Sequence, residues 1–339
     1  MLKSNLEKKE NMNNILTVSP SPHIHSGDSV KKNMRDVVIA LLPAYAVALY
    51  SFGLGALIVS LSAVLSCLLF EFLIQKYLIK GRFTLNNYSA LLTGLLLSFN
   101  LPSNLPWWIV VIGSAVAIGI GKMSFGGLGN NPFNPALVGR VFLFFSFPVQ
   151  MTTWPRPLGW ASSYLDAETM ATPLALVKNA IYGSLGYLDQ VPNVLSLLTF
   201  NTAGSMGEIS SLALILGGVY LLVRKVITWH IPVSVLLSAG VFALVMQLVD
   251  SSVYPPFYVH LLSGGMMLGA IFMATDYVTS PMSHRGMLIY GVFIGVLTMI
   301  IRFWGAYPEG MSFAILIMNA FTPIINKYVK PKRFGRVKK

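Results

Sequence analysis

The chain is 339 residues long, 55% of them hydrophobic and only 11% charged, and its formal net charge is +12. Because an ordinary soluble domain carries roughly 25% charged residues, this composition excludes a water-soluble globule, which would lack the polar surface to cover itself. The mean hydropathy is +0.67, and apolar runs long enough to cross a bilayer recur along the sequence. The sequence therefore predicts an all-α polytopic membrane protein.

The excess positive charge lies beside the apolar runs and in the segment 327–339, which holds seven basic residues and no acid. Basic residues just outside apolar runs are Lys31, Lys32, Arg35, Lys76, Lys80, Arg82, Lys122, Arg224 and Lys225. This placement is typical of cytoplasmic loops under the positive-inside rule. No platform of basic and aromatic residues accompanies the charge, so we expect no nucleic-acid partner and a surface in contact with lipid.

In chain order the sequence predicts about ten transmembrane helices, some of them short or broken by glycine. They fall near 36–52, 54–78, 88–100, 105–121, 134–148, 209–223, 231–249, 258–274, 287–303 and 311–325. Ten crossings that start inside return the basic C-terminus to the cytoplasm and place the acidic segment 149–208 outside. The predicted parts are a cytoplasmic tail (1–34), a first five-helix membrane repeat (35–148), an external loop (149–208), a second five-helix repeat (209–326) and a basic cytoplasmic tail (327–339).

A short sequence motif that occurs twice supports two internal repeats. Leu91-Leu-Thr-Gly94 opens the third apolar segment, and Leu261-Leu-Ser-Gly264 falls in the eighth, the third of the second set. Because five is an odd number, two five-helix repeats must be inverted relative to each other across the membrane. Inverted repeats with broken helices commonly enclose a site near the midplane.

The densest loop signal is Gly126-Gly-Leu-Gly-Asn-Asn-Pro-Phe-Asn-Pro-Ala136. Asn134 before a proline is typical of a helix N-cap followed by proline at the first helical position. Gly126 and Gly127 would let backbone N–H groups approach a ligand, and Asn131 adds a polar side chain. The stretch suits a polar ligand or a plain interhelical turn.

Two further polar points interrupt the apolar pattern. In Thr275-Asp-Tyr-Val-Thr-Ser-Pro281, Asp276 and Thr279 either cap the next helix or hydrogen-bond a polar cofactor. Glu71 lies inside the second apolar run, where an ionised carboxylate is costly, and is a candidate for the ion pathway. Its alternative is to reach back toward Lys76 at the cytoplasmic end.

Residues for other chemistry are sparse. Cys67 is the single cysteine and lies in an apolar run, which predicts a buried, inert thiol and excludes an internal disulfide. His23 and His25, without further ligands, are too few for a metal site. The sequence shows no nucleophile beside a base and no nucleotide-binding domain, so we expect no catalytic residue and no complete reductase in this chain.

The external segment contains Asp166-Ala-Glu-Thr-Met-Ala-Thr172-Pro. From local physics alone, Thr172 is a helix N-cap with proline at the first helical position, leading into Leu174–Ile181.

These motifs together resemble the D subunits of Rnf electron-transport complexes and, more distantly, the B subunits of sodium-translocating NADH:quinone reductases. The likeness runs over nearly the whole chain from Ser21-Pro-His-Ile-His25 onward. It includes Tyr88-Ser-Ala-Leu-Leu-Thr-Gly94, Gly126–Ala136, Thr275–Pro281 and the loop after the fifth segment.

In that family the external loop carries an Asp-x-x-Ser/Thr-Gly-Ala-Thr motif, and a separate flavin transferase esterifies its last threonine to the phosphate of FMN. Asp166, Thr169, Ala171 and Thr172 fall on this pattern. The resemblance implies that Thr172 carries covalent FMN, on a loop displayed where an exported enzyme can reach it. Met170 stands where the family has glycine, which narrows the backbone conformations open to a bent loop.

The resemblance also implies a role and a location. The chain would be a membrane flavoprotein subunit in the bacterial cytoplasmic (inner) membrane, with both termini inside. Electrons would pass between ferredoxin and NAD through partner Rnf subunits that carry iron–sulfur centres and flavins, and this flow would drive Na⁺ or H⁺ across the membrane. A second, non-covalent flavin, riboflavin, is expected near the 126–136 or 275–281 loops.

A competing hypothesis rests on the inverted repeat alone, which would equally suit a ten-helix channel or transporter for a small polar solute. Flavin on Thr172 discriminates between the two, because only the electron carrier requires it.

Overall fold

A computed structural model describes residues 29–80, 84–157, 160, 164–165, 168–182, 191–199 and 202–330. Most of the predicted N-terminal tail, with His23 and His25, lies outside the described residues. Asp166 of the attachment motif and residues 331–339 of the basic tail also lie outside them.

The described chain is built from helices. The first half contains α1 (Val30–Phe52), α2 (Leu54–Leu73, continued by the π-helical turn Ile74–Ile79), α3 (Ser89–Phe99), α4 (Trp107–Gly119) and α5 (Pro135–Ser146). The segment between the two halves contains the short helices α6 (Pro148–Thr152), α7 (Pro173–Ile181) and α8 (Val194–Leu198). The second half contains α9 (Ser211–Val223), α10 (His230–Val249), α11 (Phe257–Leu262), α12 (Met266–Leu268, continued by the π-helical turn Gly269–Met273), α13 (His284–Trp304) and α14 (Met311–Tyr328).

Each of the ten predicted apolar segments coincides with helical structure, so the helical class is confirmed. Five helical spans in the described chain have the length and apolar composition to cross a bilayer: Val30–Phe52, Leu54–Ile79, Trp107–Phe125, His230–Val249 and His284–Trp304. Ser89–Phe99, Pro135–Ser146 and Ser211–Val223 are shorter apolar helices. The number of crossings and their inverted arrangement stay predictions.

The two halves use the same order of helix packing. In the first half α2 packs against α3 and α4, and α4 packs against α5. In the second half α10 packs against α11 and α13, and α13 packs against α14. The first helix of each half, α1 or α9, packs against its counterpart from the other half. This correspondence supports an internal repeat.

A glycine permits a very close contact between two helices of the first half. A Cβ placed on Gly94 of α3 would lie 2.7 Å from the Cα of Val64 in α2, so only glycine allows this approach. Gly94 belongs to the Leu-Leu-Thr-Gly stretch whose echo ends at Gly264. In the second half Gly264 and Gly265 have φ of 68° and 63°, and they separate α11 from α12. The predicted eighth segment is therefore a broken helix.

The break between α11 and α12 is held by one buried side chain. Arg302 of α13 donates hydrogen bonds to the carbonyl oxygens of His260 at 2.5 Å, Ser263 at 2.9 Å and Gly264 at 2.9 Å. These carbonyls lack helical partners at the break, and lipid could not replace them. The guanidinium group thus makes non-helical backbone tolerable inside the bundle.

Candidate functional site

Thr172 begins α7 as its N-cap. Its hydroxyl oxygen accepts a hydrogen bond from the backbone N–H of Ala175 at 3.2 Å, and Pro173 occupies the first helical position. The local prediction of a cap leading into a helix is confirmed.

The residues before Thr172 pair with an earlier part of the external segment. Met170 N–H donates to the carbonyl oxygen of Trp154 at 3.0 Å, and Arg156 N–H donates to that of Glu168 at 2.7 Å. Thr169 forms an isolated antiparallel bridge with Pro155. The described part of the motif, from Glu168 onward, is thus an extended strip that pairs with residues 154–156 and runs into α7.

An outer cavity of about 210 Å³ opens beside this strip. Its wall contains Phe144, Trp154 and Tyr307, together with Ala171 and Thr172 of the motif; Met170 and Glu309 are also among its lining residues. Phe144 and Tyr307 meet edge to face with ring centroids 4.6 Å apart. A flat aromatic ring would find aromatic walls here, within reach of the threonine that the motif singles out.

The accessibility expected for the attachment residue differs from what the structure shows. Thr169, Met170 and Ala171 are exposed, but Thr172 is only 3% exposed. The reason is its capping role, which turns the hydroxyl inward onto the first turn of α7. A modifying enzyme could reach this oxygen only if the start of α7 is displaced or has not yet formed.

Met170 causes no visible backbone strain. The described residues other than glycine with positive φ are Lys80, Tyr88 and Lys225, and Met170 is not one of them. A glycine at this position is therefore not required by the conformation that the loop adopts here.

A buried charged cluster that sequence reasoning missed borders the outer cavity. Arg140 of α5 forms an ion pair with Glu309, a lining residue of this cavity, and donates to Asn100 Oδ1 at 3.0 Å and Ser312 Oγ at 2.5 Å. An arginine inside an apolar run is itself a signal of a functional or structural polar site, so Arg140 and Arg302 could have been found.

Glu208 belongs to the same region. It accepts a hydrogen bond from Ser205 Oγ at 2.6 Å, and together with Thr172 it lines a smaller neighbouring cavity. Burial, reinforced by the negative charge of Glu309, raises the pKa of Glu208 to about 8. The region can therefore hold a proton on a carboxyl group at neutral pH.

A second, inner cavity of about 60 Å³ lies at the glycine-rich loop. The polar side chains that line it are Ser89, Thr93, Lys122, Asn131, Asn134 and Asp276. The structure thus brings together three residues predicted from two separate motifs, Asn131 and Asn134 from the glycine-rich loop and Asp276 from the second half. Burial raises the pKa of the Asp276 carboxyl above its ordinary value.

The capping prediction for Asn134 is confirmed. Its Oδ1 accepts from the N–H groups of Ala136 at 3.1 Å and Leu137 at 3.5 Å, and its Nδ2 donates to the carbonyl oxygen of Met273 at 3.3 Å. One side chain therefore begins α5 and also joins the two halves of the bundle.

Other predicted residues support the inner cavity without lining it. Gly126 and Gly127 have φ of 100° and 93°, as a left-handed turn requires. Thr279 is not among the lining residues, but its hydroxyl donates to Asp276 Oδ2 at 3.2 Å. The helix cap expected from Asp276 is instead made by Ser283, whose Oγ accepts from Gly286 N–H at 3.1 Å. Asp276 is therefore not used as the cap of α13 and lines the cavity instead.

The alternative that Glu71 reaches back toward Lys76 is wrong. Glu71 is completely buried and pairs with Lys122, whose Nζ lies 2.6 Å from its Oε2. Lys76 instead lies over the rings of Phe72 and Tyr77. Lys122, expected as a positive charge of a cytoplasmic loop, is therefore a buried ion-pair partner, because the α4–α5 turn folds back onto α2.

The fold and its two cavities define a polytopic helical membrane protein with internally repeated helix packing and two polar sites where the halves meet. A family model described as the NQR2, RnfD, RnfE family matches residues 17–335, and the chain belongs to this family.

Curated relatives cover almost the full length. The D subunit of the Na⁺-translocating ferredoxin:NAD⁺ oxidoreductase complex of Acetobacterium woodii is 47% identical over 95% of this chain and 96% of the relative. The D subunit of the proton-translocating ferredoxin:NAD⁺ oxidoreductase complex of Clostridium ljungdahlii is 42% identical over 95% of this chain and 97% of the relative. The D subunit of the ion-translocating oxidoreductase complex of Stutzerimonas stutzeri is 40% identical over 91% of this chain and 93% of the relative.

Proposed function

We propose that the chain is the D subunit of an ion-translocating ferredoxin:NAD⁺ oxidoreductase complex and carries FMN esterified to Thr172. The observation that carries the proposal is the position of Thr172 at the wall of an aromatic-lined cavity in a chain whose relatives are named D subunits of such complexes. Redox activity would belong to the assembled complex, with other Rnf subunits as partners. The solute-transporter hypothesis gains no support from these relatives.

The outer cavity fits a tethered flavin in its chemistry. Phe144, Trp154 and Tyr307 offer aromatic surface to a flat ring, and the hydroxyl of Thr172 is the attachment point at the edge of that surface. When bound, FMN would supply electron transfer that side chains cannot perform. The chain's own residues would hold the ring, keep water from it, and place the buried charges of Glu309 and Arg140 near it.

The inner cavity is the proposed place of a second, non-covalent flavin, riboflavin. Asn131, Asn134, Thr93 and Ser89 offer amide and hydroxyl groups that match the carbonyl and N–H edge of such a ring. Asp276 is a further acceptor, placed by Thr279. The turn at Gly126 and Gly127 shapes the loop that carries Asn131.

Glu71 is proposed to contribute to the ion pathway for Na⁺ or H⁺ through its buried pair with Lys122. Maturation would need a flavin transferase acting outside the cytoplasmic membrane. Because Thr172 is buried once α7 has formed, we expect the transferase to act before the external segment packs against the bundle.

The test is direct. The full chain is produced in cells that contain its flavin transferase, denatured in SDS, separated on a gel and examined for flavin fluorescence. We expect a fluorescent wild-type band and a dark Thr172→Val band, because valine has no oxygen to esterify.

A matched control keeps the readout specific. Thr199→Val removes a hydroxyl from the same external segment, outside the motif, and should stay fluorescent. A dark wild-type band, in cells where the transferase labels another substrate, would overturn the proposed attachment.

A further inference from the structure

We propose that Lys122 is the cationic hydrogen-bond donor of the inner cavity, held by Glu71 and Ser89 so that it contacts the bound ring and favours its reduced, electron-rich form. This inference rests on the second flavin proposed above and assigns to it a contact residue from outside the glycine-rich and Asp276 motifs.

The first support is the position of the ammonium group. Lys122 lines the inner cavity, and its side chain is only 2% exposed. Its Nζ donates to Glu71 Oε2 at 2.6 Å and to Ser89 Oγ at 2.7 Å. An ammonium group has three N–H donors, and these two bonds are the ones it makes to described residues, which leaves a donor for a molecule in the cavity.

The second support is the way in which the side chain is fixed. Glu71 is itself held by Gln75 Nε2 and the hydroxyl of Thr84, each at 3.1 Å from its Oε1. Gln75 Oε1 in turn accepts from the N–H of Thr84 at 3.0 Å. This network keeps the carboxylate from turning, and the carboxylate keeps Lys122 at the cavity wall.

The third support is the balance of charge around the cavity. Among its described lining residues the charged side chains are Lys122 and Asp276. Asp276 accepts a hydrogen bond from Thr279 at its Oδ2, which satisfies one of its two carboxylate oxygens. A ring that takes up two electrons and one proton keeps one negative charge, and an adjacent ammonium group stabilises that charge more than it stabilises the oxidised ring.

The expected effect follows from the loss of one charge-assisted hydrogen bond. Loss of this bond from the reduced form alone should weaken its binding about tenfold relative to the oxidised form. For a two-electron couple a tenfold change equals about 30 mV, and the midpoint potential should fall by that amount.

The experiment uses the full chain produced in cells without flavin transferase, so that riboflavin is the one flavin bound. Bound flavin is quantified after acid release, and its midpoint potential is measured by titration with a chemical reductant. Lys122→Met should lower the potential by the stated amount, whereas Lys122→Arg, which keeps the charge, should recover most of it.

Two further variants separate this effect from damage to the fold. Lys76→Met removes a lysine charge at an exposed position in the π-helical turn after α2 and should leave the potential unchanged. Lys122→Met with Glu71→Gln removes both members of the buried pair, leaves no unpaired charge, and should still lower the potential. General loosening would weaken oxidised and reduced riboflavin alike and would leave the potential unchanged.

The two possible failures are distinguishable. A wild-type chain that releases no riboflavin would overturn the second flavin and this inference with it, while FMN on Thr172 would be unaffected. Riboflavin bound at the same potential in wild type and in both Lys122→Met variants would overturn the role of Lys122 alone.

Discussion

The outer and inner cavities lie in the same helical bundle, yet their linings differ. The outer cavity is about 210 Å³, has aromatic walls and borders a hydroxyl group. The inner cavity is about 60 Å³ and is lined by amides, hydroxyls and two charged side chains. Aromatic walls offer contact area but do little to orient a bound ring, so a covalent tether at Thr172 would supply the orientation. The amides and hydroxyls of the inner cavity would orient the proposed ligand by hydrogen bonds, without a tether.

Two buried cations, Lys122 from the first half and Arg302 from the second, also differ in the groups they contact. Arg302, at the end of α13, uses its guanidinium group for backbone carbonyls and so supports the broken helix. Lys122, just after α4, donates to the side chains of Glu71 and Ser89 and lines the inner cavity. The second half thus has a cation that supports backbone carbonyls, and the first half has a cation that lines a cavity.

Arg302→Met should lower the unfolding temperature more than any other change predicted here. A small effect would contradict the structural role that the comparison assigns to Arg302. The change leaves the carbonyl oxygens of His260, Ser263 and Gly264 without their donor, at a cost of roughly 1–3 kcal/mol for each buried unsatisfied group. We expect thermal unfolding in detergent to begin at least about 10 °C lower, roughly the shift that a loss of several kcal/mol produces. Arg302→Lys, which keeps a cation of shorter reach, should lose less.

An unchanged unfolding temperature in Arg302→Met would mean that water or lipid headgroups satisfy these carbonyls. The corresponding single variant at the inner cavity, Lys122→Met, should be less damaging. Glu71 keeps its hydrogen bonds from Gln75 and Thr84 after the lysine is lost.

Glu208→Gln should have an intermediate effect that depends on pH. The pKa of Glu208 is raised from 4.5 to about 8 in the folded chain. As pH rises through this window the unfolded chain loses the proton and the folded chain keeps it, so the wild type loses stability. Glutamine at position 208 does not ionise in this range, and its side-chain oxygen can still accept the hydrogen bond from Ser205. Its unfolding temperature should therefore exceed that of the wild type by a margin that increases as pH rises from 4.5 to about 8.

Glu168→Gln is the matched control for this pH series. Its side chain is 67% exposed and lies 3.5 Å from Arg156, so its removal should leave the pH dependence as in the wild type. Parallel pH curves for wild type and Glu208→Gln would show that Glu208 is ionised in the folded chain.

Local patterns in the sequence predicted the helices and caps well, because each depends on neighbours in the chain. Asn134 and Thr172 cap the helices that follow them, and Gly264 breaks the segment that its pattern marked as short. The partner of Glu71 could not be predicted in this way, since Lys122 is 51 positions away. The same holds for Arg140 and Glu309, which meet only because α5 and α14 pack together. Burial of Thr172 was missed because a cap directs its side chain inward.

Met170→Gly should have the smallest effect, and it tests whether the outer site depends on the motif's glycine. Met170 has no positive φ, its N–H is bonded to Trp154, and its side chain is 38% exposed at the cavity wall. Glycine would therefore relieve no strain here and would add only freedom to the unfolded loop. We expect the fluorescent band in SDS to change by less than about fivefold when Met170 is replaced, since glycine differs from other residues by at most about 1 kcal/mol in backbone entropy.

An increase of about tenfold or more in Met170→Gly, equivalent to about 1.4 kcal/mol, would show that the transferase needs a loop conformation other than the packed one. The burial of Thr172 already requires such a conformation for the start of α7. In that case flavin attachment at the outer cavity would be limited by how often the start of α7 opens. Binding at the inner cavity, for which no attaching enzyme is proposed, would have no such limit.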